Sequence, residues 1–198
     1  MRGLSFCLAN FANLLYYLFP FFERIPVKFM SLQIENMVTL VSRTGRELQR
    51  YEKGSRLVVG CIPYRYKKKQ SSFDGTLIEE LEVLMISAQK GQAMLFPKGG
   101  WELDESMEQA ALRETIEEAG VIGDIERKLG KWRYKSKSQG IIHDAYMFPL
   151  LVKKQLDIWP EKSIRNRRWM TVKEARESCK NWWMRDALDE FVHRKNLS

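Results

Sequence analysis

Three glutamates, Glu114, Glu117 and Glu118, stand within five consecutive residues of a segment that reads as a helix from Ser106 to Ala119. At about 100° per residue they share an arc of roughly 100°, with Leu112, Ile116 and Ala119 expected on the opposite, core side. Like charges at this spacing destabilise a helix by about 0.2–0.5 kcal/mol a pair, a penalty that a bound cation removes. Only two histidines are present, His143 and His193, and the three cysteines, Cys7, Cys61 and Cys179, lack C-x-x-C spacing. A thiolate site and a multi-histidine centre are therefore excluded. A metal here takes oxygen ligands, which points to magnesium or manganese.

The elements that must position these acids have local signals. Ser106 with Gln109 makes a capping box, and Gly120 can adopt the left-handed helix stop. Arg113 stands i,i+4 from Glu117, and Glu105 lies eight positions before Arg113, so an Arg113–Glu105 pair can fasten the entering loop to the helix. Upstream runs Phe96-Pro97-Lys98-Gly99-Gly100-Trp101. Adjacent glycines let a backbone turn tightly and come close to a metal or phosphate. The expected order is strand, glycine loop, acidic helix.

The whole chain has 198 residues, 44% hydrophobic and 29% charged, with 12 Gly and 6 Pro, a composition that excludes low-complexity and collagen-like classes. Its net charge of +8 is unevenly spread. Met37 to Gly75 carries nine Lys/Arg against three acids, Gly99 to Val121 carries seven acids against Arg113 alone, and Arg127 to Lys137 is again purely basic. A nucleic-acid binder gains nothing from a concentrated acidic block, so no nucleic-acid partner is expected. A polyphosphate enzyme needs both signs, carboxylates for cations and Lys/Arg for the remaining phosphates.

Strand-like runs occur at Leu57 to Pro63, Leu81 to Ser87, Ala93 to Pro97 and Ala145 to Val152. Helical patterns occupy Ser106 to Ala119, Val172 to Cys179 and Met184 to Val192, and Tyr66 to Thr76 reads as a basic, flexible hairpin loop. Short strands mixed with a few helices imply an α/β sandwich. Residues 1–36 differ, because Leu4 to Phe22 is an uncharged run of 19 residues following Arg2. A membrane anchor, a secretory signal and a poorly ordered extension all compete for it. The favoured division is a hydrophobic extension over 1–36, disordered or membrane-associated, and one domain over 37–198. The unpaired cysteines point to a reducing compartment.

From Gly99 the spacing runs through five residues to Glu105, then seven to Arg113-Glu114-Thr115-Ile116-Glu117-Glu118-Ala119-Gly120-Val121. This resembles the Nudix box, G-x5-E-x7-R-E-U-x-E-E-x-G-U, with Thr115 in place of one bulky apolar residue. Seven identities at about 7% usage each arise by chance about once in 10⁸ windows, so a merely solvated helix is a poor explanation. From about Ser42 onward, segments such as RELQRYEKGSRLVVGC, LFPKGGWELDE and WPEKSIRNRRWM resemble the plant diphosphoinositol-polyphosphate phosphohydrolase branch of that family.

The resemblance implies a Nudix-type α/β/α sandwich with a mixed β-sheet, and metal-dependent hydrolysis of a diphosphate linkage. It implies Mg²⁺ or Mn²⁺ held by Glu114, Glu118 and a backbone carbonyl at Gly99. Glu117 becomes the base or an additional ligand, with Glu105 and Arg113 in support. It suggests a substrate shell of Arg50, Arg56, Ser87, Gln89, Lys90, Lys98, His143 and Arg165, although an exposed charge is as good a reading of each. The substrate expected is a diphosphoinositol polyphosphate. Alternatives are a dinucleoside polyphosphate, such as a diadenosine polyphosphate, and a non-catalytic module binding inositol phosphates or anionic lipid. The six tryptophans are expected mainly in packing, with Trp182 and Trp183 locking the C-terminal helices onto the sheet. A monomer in the cytoplasm or nucleus is expected, with membrane or organelle targeting through the N-terminal segment as the alternative and any membrane contact confined to residues 1–36.

Overall fold

The computed structural model describes residues 42–43, 45–70, 77–89, 93–136 and 140–197. The hydrophobic extension over 1–36, Lys90 and the tip of the basic hairpin lie outside these. Among the described residues no helix is long and apolar enough to cross a membrane.

A long strand, β2 (Ser55–Gln70), runs through the middle of the domain beside β8 (Ile142–Gln155). The two pair in parallel from Arg56 opposite His143 to Tyr64 opposite Leu151. On one side β2 pairs antiparallel with β3 (Leu77–Ser87), which in turn pairs with β4 (Met94–Leu95) and β9 (Arg167–Thr171). On the other, β8 carries β6 (Val121–Ile125) and β7 (Gly130–Lys135), both antiparallel. Two short strands, β1 (Tyr51–Glu52) and β5 (Lys98–Gly100), also pair with β2. The sheet is mixed, as the sequence implied.

The apolar run of β2 has no hydrophobic alternation because both faces of the sheet are covered. Val59 and Cys61 point with Leu84, Ile86, Phe148 and Leu150 into one core, closed by Ala110, Ala111 and Ala119 of helix α1 (Met107–Ala119). Val58, Ile62 and Tyr64 point with Met85 and Met147 into the other, closed by α2 (Val172–Ser178) and α3 (Trp182–Leu197) through Ala175, Met184, Leu188 and Phe191. Each fully buried Leu, Met or Phe contributes about 1.5–3 kcal/mol, and together they hold helices on both faces. The α/β/α sandwich follows.

Two expectations need correction. The Tyr66 to Thr76 stretch is not loop from its start, because residues up to Gln70 continue β2, and Lys67 and Lys68 sit opposite Glu80 and Glu79 of β3. Cross-strand charge pairing makes an extended ribbon from residues whose charge resembles a loop. The expected glycine loop is also partly strand, since Gly99 and Gly100 pair with Val59 and Val58 as β5.

Candidate active site

Helix α1 begins and ends as its sequence requires. Ser106 accepts the Gln109 N–H while the Gln109 side chain accepts from Ser106, and Gly120 stops the helix at φ 61°, ψ 41°. The expected core side of α1 holds for Ala119, which lies in the core, and for Leu112, which packs against it, but the acidic side is not exposed. Glu114, Glu117 and Glu118 are buried, whereas Leu112 and Ile116 are only partly so. The acids face inward because α1 lies across the sheet with β5 against it. Thr115, the departure from the box, is fully buried and donates its hydroxyl to the Ala111 carbonyl at 2.7 Å. That bond satisfies the polar group inside the core.

Each buried carboxylate has a protein donor. Glu114 accepts from Arg113 Nη1 at 2.8 Å, and its carboxylate occupies the space above Gly99 where a Cβ would lie 2.0 Å from Oε2. No other residue type admits this approach of carboxylate to strand. Glu118 accepts the Lys98 N–H at 2.7 Å on one oxygen and the Arg165 guanidinium on the other. Glu117 accepts the Arg43 N–H at 3.4 Å and lies 3.6 Å from Arg113. Arg113 also donates to the Gly100 carbonyl and grips both oxygens of Glu105, whose own Oε1 accepts the Glu102 N–H.

Burial dominates the electrostatics here, since it penalises the charged form of a carboxyl. It raises Glu114, only partly opposed by Arg113. Glu117 is pushed up to about 7 by burial and the neighbouring Glu114. Glu118 also reaches about 7, burial outweighing the attraction of Lys98 and Arg165. Glu105 goes the other way: burial opposes its charge, but Arg113 and the Glu102 N–H hold it below the usual carboxylate range. In the three α1 acids burial outweighs the cationic partners, while in the loop acid the partners outweigh burial.

A cavity of about 640 Å³ opens beside Glu114 and Glu118. Its other lining includes Arg56, Gln89, Lys98, Tyr134, Lys135 and His143, with Asn181 and Trp182 from the start of α3. His143 is only 6% exposed. Its Nδ1 lies 3.1 Å from the Tyr134 hydroxyl, and its Nε2 has no hydrogen-bond partner among the described residues. Burial and then the charges of Arg56, Lys98 and Arg46 hold its pKa below the usual value. Arg56 is itself lowered, by burial and by Arg46. Cations and carboxylates thus line one cleft.

Of the expected substrate shell, Arg56, Gln89, Lys98 and His143 line this cavity. Arg50, Ser87 and Arg165 do not. Arg50 donates to the Glu102 and Leu103 carbonyls and stacks on Trp101 at 4.5 Å. Ser87 accepts the Asn166 N–H on its hydroxyl, and Arg165, 7% exposed, is enclosed by acids and by the Ser87 carbonyl. Lys90 lies outside the described residues. Trp183 packs as expected, stacked on Tyr134 at 4.7 Å, but Trp182 is 52% exposed at the cleft. Sequence reasoning missed Arg43, which pairs with Glu102 and Asp104, and Glu161, which pairs with Arg165. The only signal for either was a charge next to an apolar run.

A mixed sheet between helices, with buried carboxylates on one helix against a glycine strand and cations lining the same cleft, suits a hydrolase of phosphate anhydrides. The chain belongs to the Nudix family: the NUDIX domain model matches residues 68–191. It is similar to Nudix hydrolase 4 of Arabidopsis thaliana, 58% identical over 202 residues, covering 100% of this chain and 97% of that one. It is 34% identical over 116 residues to diphosphoinositol polyphosphate phosphohydrolase 3-alpha of Mus musculus, covering 57% of this chain and 69% of that one. Among solved structures, a C. elegans Ap4A hydrolase binary complex shares the fold with a TM-score of 0.55 at 21% identity, covering 72% of this chain and 98% of that one. The chain is a Nudix hydrolase acting on pyrophosphate-containing substrates.

Nudix hydrolases work with divalent metals such as Mg²⁺ or Mn²⁺, and the residues here fit one. Glu114, Glu117 and Glu118 are hard oxygen donors buried on one helix, and the Glu114 carboxylate lies directly against the Gly99 backbone, an approach that a side chain at 99 would prevent. As they stand, no three acidic, histidine or cysteine side chains among the described residues form a cluster ready to hold an ion. The carboxylates are instead turned to Arg113, Lys98, Arg165 and Arg43.

Proposed function

We propose that this protein removes the terminal phosphate of diphosphoinositol polyphosphates, with Mg²⁺ or Mn²⁺ held by Glu114, Glu118 and the Gly99 backbone. The observation that carries the reading is one cavity lined both by the carboxylates Glu114 and Glu118 and by the cations Arg56, Lys98 and Lys135, with His143 among them. A compact ring bearing many phosphates suits such cations in the lining, since guanidinium and ammonium groups bind phosphate oxygens with charge-assisted hydrogen bonds. Similarity to the mouse diphosphoinositol polyphosphate phosphohydrolase supports the same substrate class.

A bound cation supplies neutralisation of the phosphoryl oxygens and a more acidic water. The chain's own residues do the rest. Glu117, with a pKa near 7, takes the proton of the attacking water. Arg113, fixed by Glu105, holds Glu114 in line with the strand. Lys98 and Arg56 bind the phosphates that do not react, and His143 Nε2 gains the acceptor it lacks. Water adds to the terminal phosphorus, the anhydride oxygen leaves with the inositol phosphate, and orthophosphate is released.

One observation favours a second reading. The half-exposed indole of Trp182 at the cleft offers a flat surface to a nucleobase, which suits a dinucleoside polyphosphate. Steady-state comparison of the two substrates decides between them. A higher kcat/KM on the diphosphoinositol polyphosphate supports the first, and a large preference for a diadenosine polyphosphate replaces it with the second. The buried free thiols Cys61 and Cys179 suit a reducing compartment.

A further inference from the structure

Beyond the box, one buried cation is shared between two acids. Arg165 donates through Nη2 to Glu118 Oε1, through Nε to Glu161 Oε2, and through Nη1 to the Ser87 carbonyl at 3.0 Å. Glu161 is delivered by the segment that docks on the end of α1. Its N–H donates to the Glu117 carbonyl at 3.1 Å, and its carbonyl accepts the Arg165 N–H at 2.9 Å, which puts both side chains on the same side of one turn. With the Lys98 N–H on Oε2, both oxygens of Glu118 are occupied.

A cation that draws on Glu118 Oε1 competes with Arg165 for that oxygen. A buried guanidinium left without an acid is strongly unfavourable, but its forked donors allow it to keep one carboxylate while leaving another. Glu161 is that second carboxylate. We propose that Glu161 is a positioning residue which, by retaining Arg165, sets how readily Glu118 turns to a divalent cation. The inference rests on the reading of Glu118 as a metal ligand. Without the Glu161 charge, Arg165 depends on Glu118 alone and competes with the metal for it.

The test is Mn²⁺ binding to the full-length protein, followed by calorimetry and by the electron paramagnetic resonance signal of free Mn²⁺, with thermal unfolding of each variant as a check. Glu161→Gln is expected to raise the Kd for Mn²⁺ about tenfold, as loss of a residue supporting a metal ligand typically does. In an Arg165→Met background the same substitution is expected to change Kd by less than about twofold, because an indirect effect vanishes with its intermediary. Arg165→Gln replaces Arg165→Met if the latter does not fold. An unchanged Kd for Glu161→Gln alone overturns the proposal, and so does equal weakening in both backgrounds, which would make Glu161 a direct ligand. Wild-type protein that binds no Mn²⁺ overturns the metal reading of Glu118 itself, and this coupling with it.

Discussion

Arg113 and Glu105 are joined twice, Nε to Oε2 at 2.9 Å and Nη2 to Oε1 at 2.7 Å, across the turn that leads into α1. The remaining donor of that guanidinium reaches Glu114 at 2.8 Å. One cation therefore fixes the approach of the loop and the attitude of a candidate metal ligand together. Arg113 is held above its ordinary pKa because Glu105 and Glu114 outweigh its burial.

Replacing Arg113 by Ala strands Glu105 and Glu114 in a largely buried setting. The expected cost is about 3 kcal/mol of folding stability, read as a lower urea midpoint at unchanged slope, together with a fall in kcat/KM. Stability within error of wild type would show that the forked pair does not organise the turn.

Gly99→Ala places a methyl group about where the Glu114 carboxylate lies, 2.0 Å from Oε2. Either the carboxylate or β5 must move. A displacement of about 1 Å at a reacting centre can cost a factor of about 100. Far-ultraviolet circular dichroism should stay native while kcat/KM falls on that scale; full activity would mean the close approach is unimportant.

His143 provides a pH signature. Its folded pKa lies below the ordinary 6.5, from burial first and then Arg56, Lys98 and Arg46. The folded state therefore binds fewer protons than the unfolded, and stability rises with pH across that window. The contribution is complete above about pH 6.5 and is lost as pH falls through the folded value. Denaturation of wild type and His143→Asn at pH 7.5 and pH 5 should show wild type losing more stability on acidification. The opposite order would place a carboxylate beside His143.

Trp182→Ala separates the two substrate classes. Stacking of a base on an aromatic ring is worth about 1–3 kcal/mol, so KM for a diadenosine polyphosphate should rise by at least about fivefold. KM for a diphosphoinositol polyphosphate should change little. Equal losses on both would make Trp182 a packing residue, as first expected from sequence.

The box was legible because its information is local. Capping at Ser106, the stop at Gly120 and the spacing of Glu114, Glu117 and Glu118 all act within one helix. What the helix packs against was not local, and the acidic face expected to oppose the core is buried under β5. Strands β6, β7 and β9 were missed because their side chains alternate between buried and exposed, or carry charges such as Arg167 and Arg168, rather than forming apolar runs. Arg165 read as a substrate contact because a lone arginine carries no sign of its partners. Its burial against Glu118 and Glu161 depends on a loop closing over the end of α1, which no short stretch of sequence encodes.

The most direct measurement is orthophosphate release from a diphosphoinositol polyphosphate by full-length wild type and by Glu118→Gln, in Mg²⁺ and in excess chelator. The expected result is release by wild type in Mg²⁺ alone, with a loss of at least about 100-fold in Glu118→Gln. Release that survives the chelator, or an undiminished rate in Glu118→Gln, would contradict metal-dependent hydrolysis at this site.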